Sequence, residues 1–560
     1  MKVKGFYYVS TGVKKAAVTI AVILAIMSMP LSQAIAASCS TGNVTTTQGT
    51  VCGISNASGT SAYAYLGIPF GESTAGNNRW AAPIAKQPWS STFQATSYGP
   101  MCPQSDNISN LTNSEDCLSI NVWTPVNPGK SGSLPVMVFI YGGAFIFGTS
   151  SSPTYDGAYL ASQQNVVLVT FNYRVGAFGF LKYGSTVNSN FGILDQQLAL
   201  KWVQNNIGQF GGDPAKVTIF GESAGAMSVG IHLTAAPNSA SLFRAGIMES
   251  NPFGMPYKSP DQAQGISNNL AIALGCLHTD AAKNLECMRA QPMANVYKNS
   301  INPAVVGPPM ALHGIVDSLP WAPIIDGTVI TQEPILAIKQ GKLTKPVILG
   351  TNKNEGTLFA LGIQAIADKV SKDGLTCQEY NTLLEIWFGA YALVINKIPA
   401  YACNSTNVVD QLSNLMTDYI FHCANMYVAK QASATNSNVY AYGFEVIPSF
   451  FALDKLAPAC ANQSCHTAEL PFVFNSAAQT GHTFTAAEQV VANEMGTYWA
   501  NLAKNLTPAS STYPSWPAFS SNKSVFLFNT NSQSTIQNPI IPICDFWDVI
   551  GYNHGGVTSN

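Results

Sequence analysis

Four short apolar runs, at 134–140, 166–172, 217–220 and 347–350, most constrain what this 560-residue chain can fold into. Each is rich in Val, Ile, Leu or Phe and lacks the polar–apolar alternation of a half-exposed strand. Runs of this kind suit parallel strands buried on both faces. Between the second and third, residues 191–206 carry apolar side chains at helical spacing, and a further long helix is expected at 485–505. Strands alternating with helices predict an α/β fold with a mostly parallel central sheet flanked by helices. No long Gly/Ser or Pro linker, charge block or internal repeat interrupts the chain, so one large domain with insertions is expected. In such sheets functional groups gather beyond the carboxyl ends of the strands.

Run 217–220 leads directly into Gly221-Glu222-Ser223-Ala224-Gly225 and then into an apolar, helix-like stretch at 226–233. A strand that turns at once into a helix leaves no room for side chains beside the turn residue, which explains a glycine on either flank. It also lifts the serine oxygen clear of the sheet and aims a helix N-terminus at it. The pattern alone is weak, since an ordinary Gly-rich turn could carry it. Gly71-Glu72-Ser73-Thr74-Ala75 is a near match that lacks both the final glycine and the preceding apolar strand. The flanking strand and helix make Ser223 the candidate nucleophile. After run 134–140 comes Tyr141-Gly142-Gly143-Ala144-Phe145. Adjacent glycines at a strand end let backbone N–H groups turn toward a ligand, as a tetrahedral oxyanion requires.

Three further stretches carry a resemblance. Tyr65-Leu66-Gly67-Ile68-Pro69-Phe70 and Glu115-Asp116-Cys117-Leu118-Ser119-Ile120-Asn121-Val122-Trp123 precede the glycine pair. Phe210-Gly211-Gly212-Asp213-Pro214 leads into the Ser223 segment. With it, these resemble the type-B carboxylesterase/lipase family, which includes cholinesterases and neuroligins, over nearly the whole chain after the leader. The resemblance implies an α/β-hydrolase fold and hydrolysis of carboxylic esters. It implies an oxyanion hole from the N–H groups of Gly143, Ala144 and Ala224, with Ala144 standing where a third glycine is more frequent. A lipase acting on longer acyl chains is the alternative activity. A binding protein is the alternative class, since neuroligins keep the fold but have lost the serine.

In this fold the acid and then the histidine follow the serine along the chain. Of the seven histidines, 232, 278 and 313 come before any plausible acid, His422 sits in an apolar helical stretch, and His554 lies in a Gly-rich tail. His466, beside His482, opens His466-Thr467-Ala468-Glu469-Leu470-Pro471-Phe472-Val473-Phe474, which resembles the family's histidine loop. The acid expected from the resemblance is Glu355, in Thr351-Asn352-Lys353-Asn354-Glu355-Gly356-Thr357. Asp326 competes on chain order, but Asp326-Gly327 reads as a turn. The chemistry needs no metal and no organic cofactor.

The amino-terminal residues read as a leader. Lys2, Lys4, Lys14 and Lys15 precede an apolar run at 16–29, and Ala34-Ile35-Ala36 offers small residues for cleavage. The run is shorter than the roughly 20 residues of a membrane span. Removing 1–36 leaves 23 basic and 29 acidic residues, a charge of −6, on an exported domain at 37–560. No basic face for nucleic acid is apparent. All twelve cysteines follow the leader, and an even count in an exported chain predicts disulfides. The resemblance implies Cys102–Cys117, Cys276–Cys287 and Cys423–Cys544. Local pairing would join 39 with 52, 377 with 403 and 460 with 465. In cholinesterases the first disulfide loop carries a Trp that faces a quaternary ammonium; residues 103–116 hold no aromatic side chain, so the resemblance implies neutral esters over choline esters. Weak alignment places Leu319 and Trp321 on the acyl side.

Overall fold

Run 134–140 forms the strand Leu134–Ile140, whose residues 135–140 are all buried, and it lies near the middle of a ten-stranded sheet. In chain order the strands of this sheet are β1 (Tyr63–Pro69), β2 (Ser119–Thr124), β3 (Leu134–Ile140), β4 (Val167–Phe171), β5 (Gly212–Glu222), β6 (Ala245–Glu249), β7 (Val347–Asn352), β8 (Val439–Phe444), β9 (Val525–Phe528) and β10 (Thr535–Gln537). Their spatial order is β10-β9-β8-β7-β6-β5-β3-β4-β2-β1. Pairing is parallel from β9 to β4, for example Val138 with Ile219 and Gly350 with Tyr442. It is antiparallel at both margins. The expected mostly parallel sheet is therefore present.

The computed structural model describes residues 39, 42–105, 111–125, 132–184, 187, 189–306, 319–370, 375–450, 458–520, 523–530, 535–537 and 542–552. The leader expected at 1–36 lies outside the described residues, as do His313 and His554. Residues Met1–Ser40 group apart by contacts, and Thr41–Asn560 form one compact unit, to which the following applies.

Helix α1 (Phe191–Asn206) connects β4 to β5 and buries Ile193, Leu200, Trp202 and Val203. Helix α2 (Ala224–Thr234) is buried from Ala224 to Leu233, so its sequence is apolar on every side. Helix α3 (Glu355–Val370) follows β7. Helix α4 (Ala486–Asn505) starts one residue inside the expected span because Thr485 is its cap. The Thr485 hydroxyl accepts from Glu488 N, and the Glu488 carboxylate accepts from Thr485 N. The four helices and strands β1 to β9 contribute to one core.

Disulfides join Cys102 to Cys117, Cys276 to Cys287, Cys377 to Cys403, Cys423 to Cys544 and Cys460 to Cys465. Cys39 and Cys52 are also disulfide-bonded, and among the described residues no cysteine is free. Cys423–Cys544 spans 121 residues. In the chain-entropy model a loop of that size removes roughly 5 kcal/mol of freedom from the unfolded chain. Among the described residues, no helix is long and apolar enough to cross a membrane.

Candidate active site

Ser223 stands alone between β5, which ends at Glu222, and α2, which begins at Ala224. Its φ of 57° and ψ of −122° fall in a region that side-chain-bearing residues avoid, at a cost of about 1–3 kcal/mol. Two glycines make the turn possible. A Cβ on Gly225 would sit 1.9 Å from Ile140 O, and one on Gly221 would sit 2.6 Å from the same oxygen. Ser223 N donates to Glu249 O at 2.9 Å, which ties the turn to β6.

The loop after β3 presses on this turn. A Cβ on Gly142 would lie 3.0 Å from Ser223 Cβ and 2.7 Å from Glu222 O. Gly143 has φ 113°, and Ala144 and Phe145 follow at 54° and 61°, so two non-glycine residues also take left-handed backbone. The turn closes where Ile146 N and Phe147 N both donate to Gly143 O. Among the described residues no protein acceptor is paired with the N–H of Gly143, Ala144 or Ala224. Each is a backbone N–H, so an alanine at position 144 offers the same donor as a glycine would.

His466 arrives on a loop stitched to the residues after β7. Asn354 N donates to Ser464 O, Asn352 Nδ2 donates to Cys465 O, and Cys460–Cys465 closes the segment just before the histidine. His466 Nδ1 lies 2.5 Å from Glu355 Oε2, and Glu355 Oε1 accepts from Asn352 N at 2.7 Å. Both carboxylate oxygens are thus engaged, and the imidazole tautomer is fixed by its Nδ1 partner. On the other side of the ring, Nε2 lies 3.0 Å from Glu222 Oε1. Neither atom makes a hydrogen bond among the described residues, so the two are close neighbours that attract when the imidazole is protonated. Phe359 and Phe421 flank the imidazole, each with a centroid 5.0 Å from it. Among the described residues no hydrogen bond joins Ser223 Oγ to His466. Ser223 is connected to the ring through its neighbour Glu222.

The site is crowded with buried acids. Burial opposes a charged His466, but Glu222 and Glu355 outweigh it and lift its pKa well above the ordinary histidine value. Burial raises Glu222, against the pull of His466 and with a further push from Glu355. Glu469 is pushed up to about 8 by burial and by the charges of Glu222 and Glu355. Its oxygens face Asn352 Nδ2 at 2.5 Å and Ser250 Oγ at 3.4 Å. Glu249, raised chiefly by burial, accepts from Trp499 Nε1 at 2.8 Å. Glu222 and Glu355 thus face the imidazole directly, while Glu469 and Glu249 lie behind them and interact with the other acids.

Other candidates lie elsewhere. Asp326 Oδ1 accepts from the N–H groups of Thr328, Val329 and Ile330 and caps a turn. His232 is buried between Ser239 and Gln196, its pKa lowered to about 3 by burial. His422 Nδ1 meets Thr351 Oγ1 at 3.2 Å and belongs to a π-helical turn, Thr417–His422, that also supplies Phe421. Trp321 lines an apolar cavity of about 160 Å³ together with Ile146 and Phe178, and its Nε1 donates to Ser300 O. Among the described residues no group of three or more His, Cys, Asp or Glu is placed to hold a metal ion. Sequence reasoning passed over Glu222 and Glu469. Their only signals were adjacency to Ser223 and a three-residue spacing from His466.

Residues 40–547 match the Carboxylesterase family. The chain is 34% identical over 534 residues to a cholinesterase of Mus musculus, covering 90% of this chain and 86% of the mouse protein. It is 34% identical over 493 residues to carboxylesterase 1E of the same species, covering 84% and 86%. It is 32% identical over 514 residues to the crystal protein of Dictyostelium discoideum, covering 87% and 88%. This chain belongs to the carboxylesterase family, and its sheet and helices form an α/β-hydrolase fold.

Proposed function

We propose that this family member hydrolyses small carboxylic esters through an acyl-enzyme on Ser223. His466 Nε2 takes the Ser223 proton as Oγ bonds to the ester carbonyl carbon, and the carbonyl electron pair moves onto oxygen. The N–H groups of Gly143, Ala144 and Ala224 hold that oxyanion. Its collapse breaks the bond to the alcohol oxygen, which leaves with the proton from His466. Water then repeats the sequence on the acyl-enzyme and releases the acid. Glu355 holds the imidazole tautomer and stabilises its charged form. The observation that carries this reading is the buried Glu355–His466 pair, 2.5 Å apart, beside a strained serine at a strand–helix turn.

In this reading residues 1–36 are a cleaved leader and 37–560 the hydrolase domain of a secreted protein. Its disulfides suit an oxidising compartment. Neutral esters are its substrates, since the segment 103–116 offers no aromatic face for a quaternary ammonium. The test is labelling with an organophosphate followed by peptide mapping. One modified residue, Ser223, together with loss of ester turnover is expected. A label on another residue overturns the assignment.

A further inference from the structure

Gln104 makes contacts that the proposed reaction does not use. It is 2% exposed, and its whole amide is engaged. Oε1 accepts from Gly148 N at 2.8 Å, while Nε2 donates to Gly148 O at 2.8 Å and to Cys102 O at 3.0 Å. Its own backbone is clasped by Asn113, whose Oδ1 accepts from Gln104 N and whose Nδ2 donates to Gln104 O. Cys102 and Cys117 are disulfide-bonded around this segment. The side chain therefore grips Gly148 by both backbone groups, as an adjoining antiparallel strand would, from a loop that is itself braced.

What Gly148 touches gives the grip its meaning. Its φ is 117°, and a Cβ there would lie 2.5 Å from Gly142 O. Gly142 in turn packs on Ser223 and Glu222. The segment from Gly142 to Gly148 is thus folded back on itself, with its first residue against the nucleophile and its last in the hand of Gln104. Between them lie the unpaired N–H groups of Gly143 and Ala144 and two non-glycine residues in left-handed backbone. A turn with that much unfavourable backbone keeps its shape only when its surroundings over-determine it. The elbow restrains its first residue, Gly176 N donates to Phe145 O at 2.7 Å in its middle, and Gln104 restrains its last residue.

We infer that Gln104 is a positioning residue for the oxyanion hole, holding the N–H groups of Gly143 and Ala144 on the reacting carbonyl. The inference rests on the esterase reading above. It predicts a loss expressed in the transition state and not in substrate binding.

Gln104→Leu keeps the approximate volume and removes all three side-chain bonds. It is expected to lower kcat roughly tenfold or more while KM stays within about threefold. Affinity for a trifluoromethyl ketone, which forms an oxyanion on the serine, should fall in parallel. Gln104→Glu provides the second variant. When ionised it repels Gly148 O, but when protonated its O–H can donate there while its carbonyl accepts from Gly148 N. Its kcat relative to the unsubstituted enzyme should therefore recover as pH falls. Unchanged kcat and ketone affinity in Gln104→Leu would overturn the inference. So would a rise in KM alone, or a Gln104→Glu ratio flat with pH. Absence of ester turnover by the unsubstituted protein would overturn the esterase reading and this inference with it.

Discussion

His466 stands between two carboxylates, and the less familiar of the pair is Glu222, whose Oε1 lies 3.0 Å from Nε2 on the ring edge opposite Glu355. Both acids favour the imidazolium. The free base, which the proposed reaction needs, therefore forms only above the ordinary histidine range. Replacing Glu222 by Gln removes one of those charges and lowers the His466 pKa. The acid limb of kcat/KM should move to lower pH in Glu222→Gln. A limb that stays in place would show that Glu222 does not act on the base.

Glu355→Gln separates orientation from charge on the other edge. The amide preserves the shape of the side chain but can present N–H to Nδ1 and select the wrong tautomer. A fall in kcat of about 10²- to 10⁴-fold is expected. Steady-state kinetics on a neutral aryl ester measures it, and a change of less than about tenfold would remove Glu355 from the proposed reaction.

Glu469 connects the site to stability. Its folded pKa of about 8 exceeds the ordinary value of 4.5, so the folded protein keeps a proton that the unfolded chain releases. Stability from this group is fully present below about 4.5 and falls as pH rises, levelling above about 8. Glu469→Gln, which stays neutral, should lose that slope. Its melting temperature should drop less than that of the parent protein between pH 5 and pH 8.5. Equal drops would contradict the assignment.

Two glycines give opposite expectations. A Cβ on Gly225 would meet Ile140 O at 1.9 Å, whereas at Gly362, inside α3, nothing lies within 4 Å. Gly225→Ala should destabilise by about 3 kcal/mol or more and abolish activity. Gly362→Ala should stabilise by up to about 1 kcal/mol, because alanine is the better helix former. Denaturant melts of the two variants make the comparison.

Substrate charge offers a further test. An aromatic face contributes about 0.5–2 kcal/mol to binding a quaternary ammonium, and the segment 103–116 has none. Neutral esters should show the higher kcat/KM when compared with choline esters of the same acyl group. A tenfold choline preference would mean that another ring, such as Phe359 or Trp321, supplies the missing face.

Much of the fold was legible because it depends on local pattern. The run at 134–140 is a strand with those bounds, and the span at 191–206 is helical throughout, since apolar period and length decide such elements. The β9 and β10 strands near the carboxyl end were not anticipated, being only four and three residues long. The strand–turn–helix around Ser223 could be read because the turn leaves its glycines in place. The acids around His466 were harder. Glu222, Glu249 and Glu469 look like ordinary surface charges until packing brings them inside. The rings of Phe359 and Phe421 meet across 62 residues through a π-helical turn that no periodicity announces. The Gln104–Gly148 clasp joins two loops 44 residues apart, and nothing in either loop names the other.

The Cys423–Cys544 disulfide encloses His466 in a covalent ring, while Ser223 and Glu355 lie on the chain before it. A protease that cuts one peptide bond inside the ring cannot free either piece. When the cut falls before His466, the fragment bearing the histidine stays tethered to the one bearing the serine until the bridge is reduced. The bridge thus lets the fold outlast a first cleavage at that point.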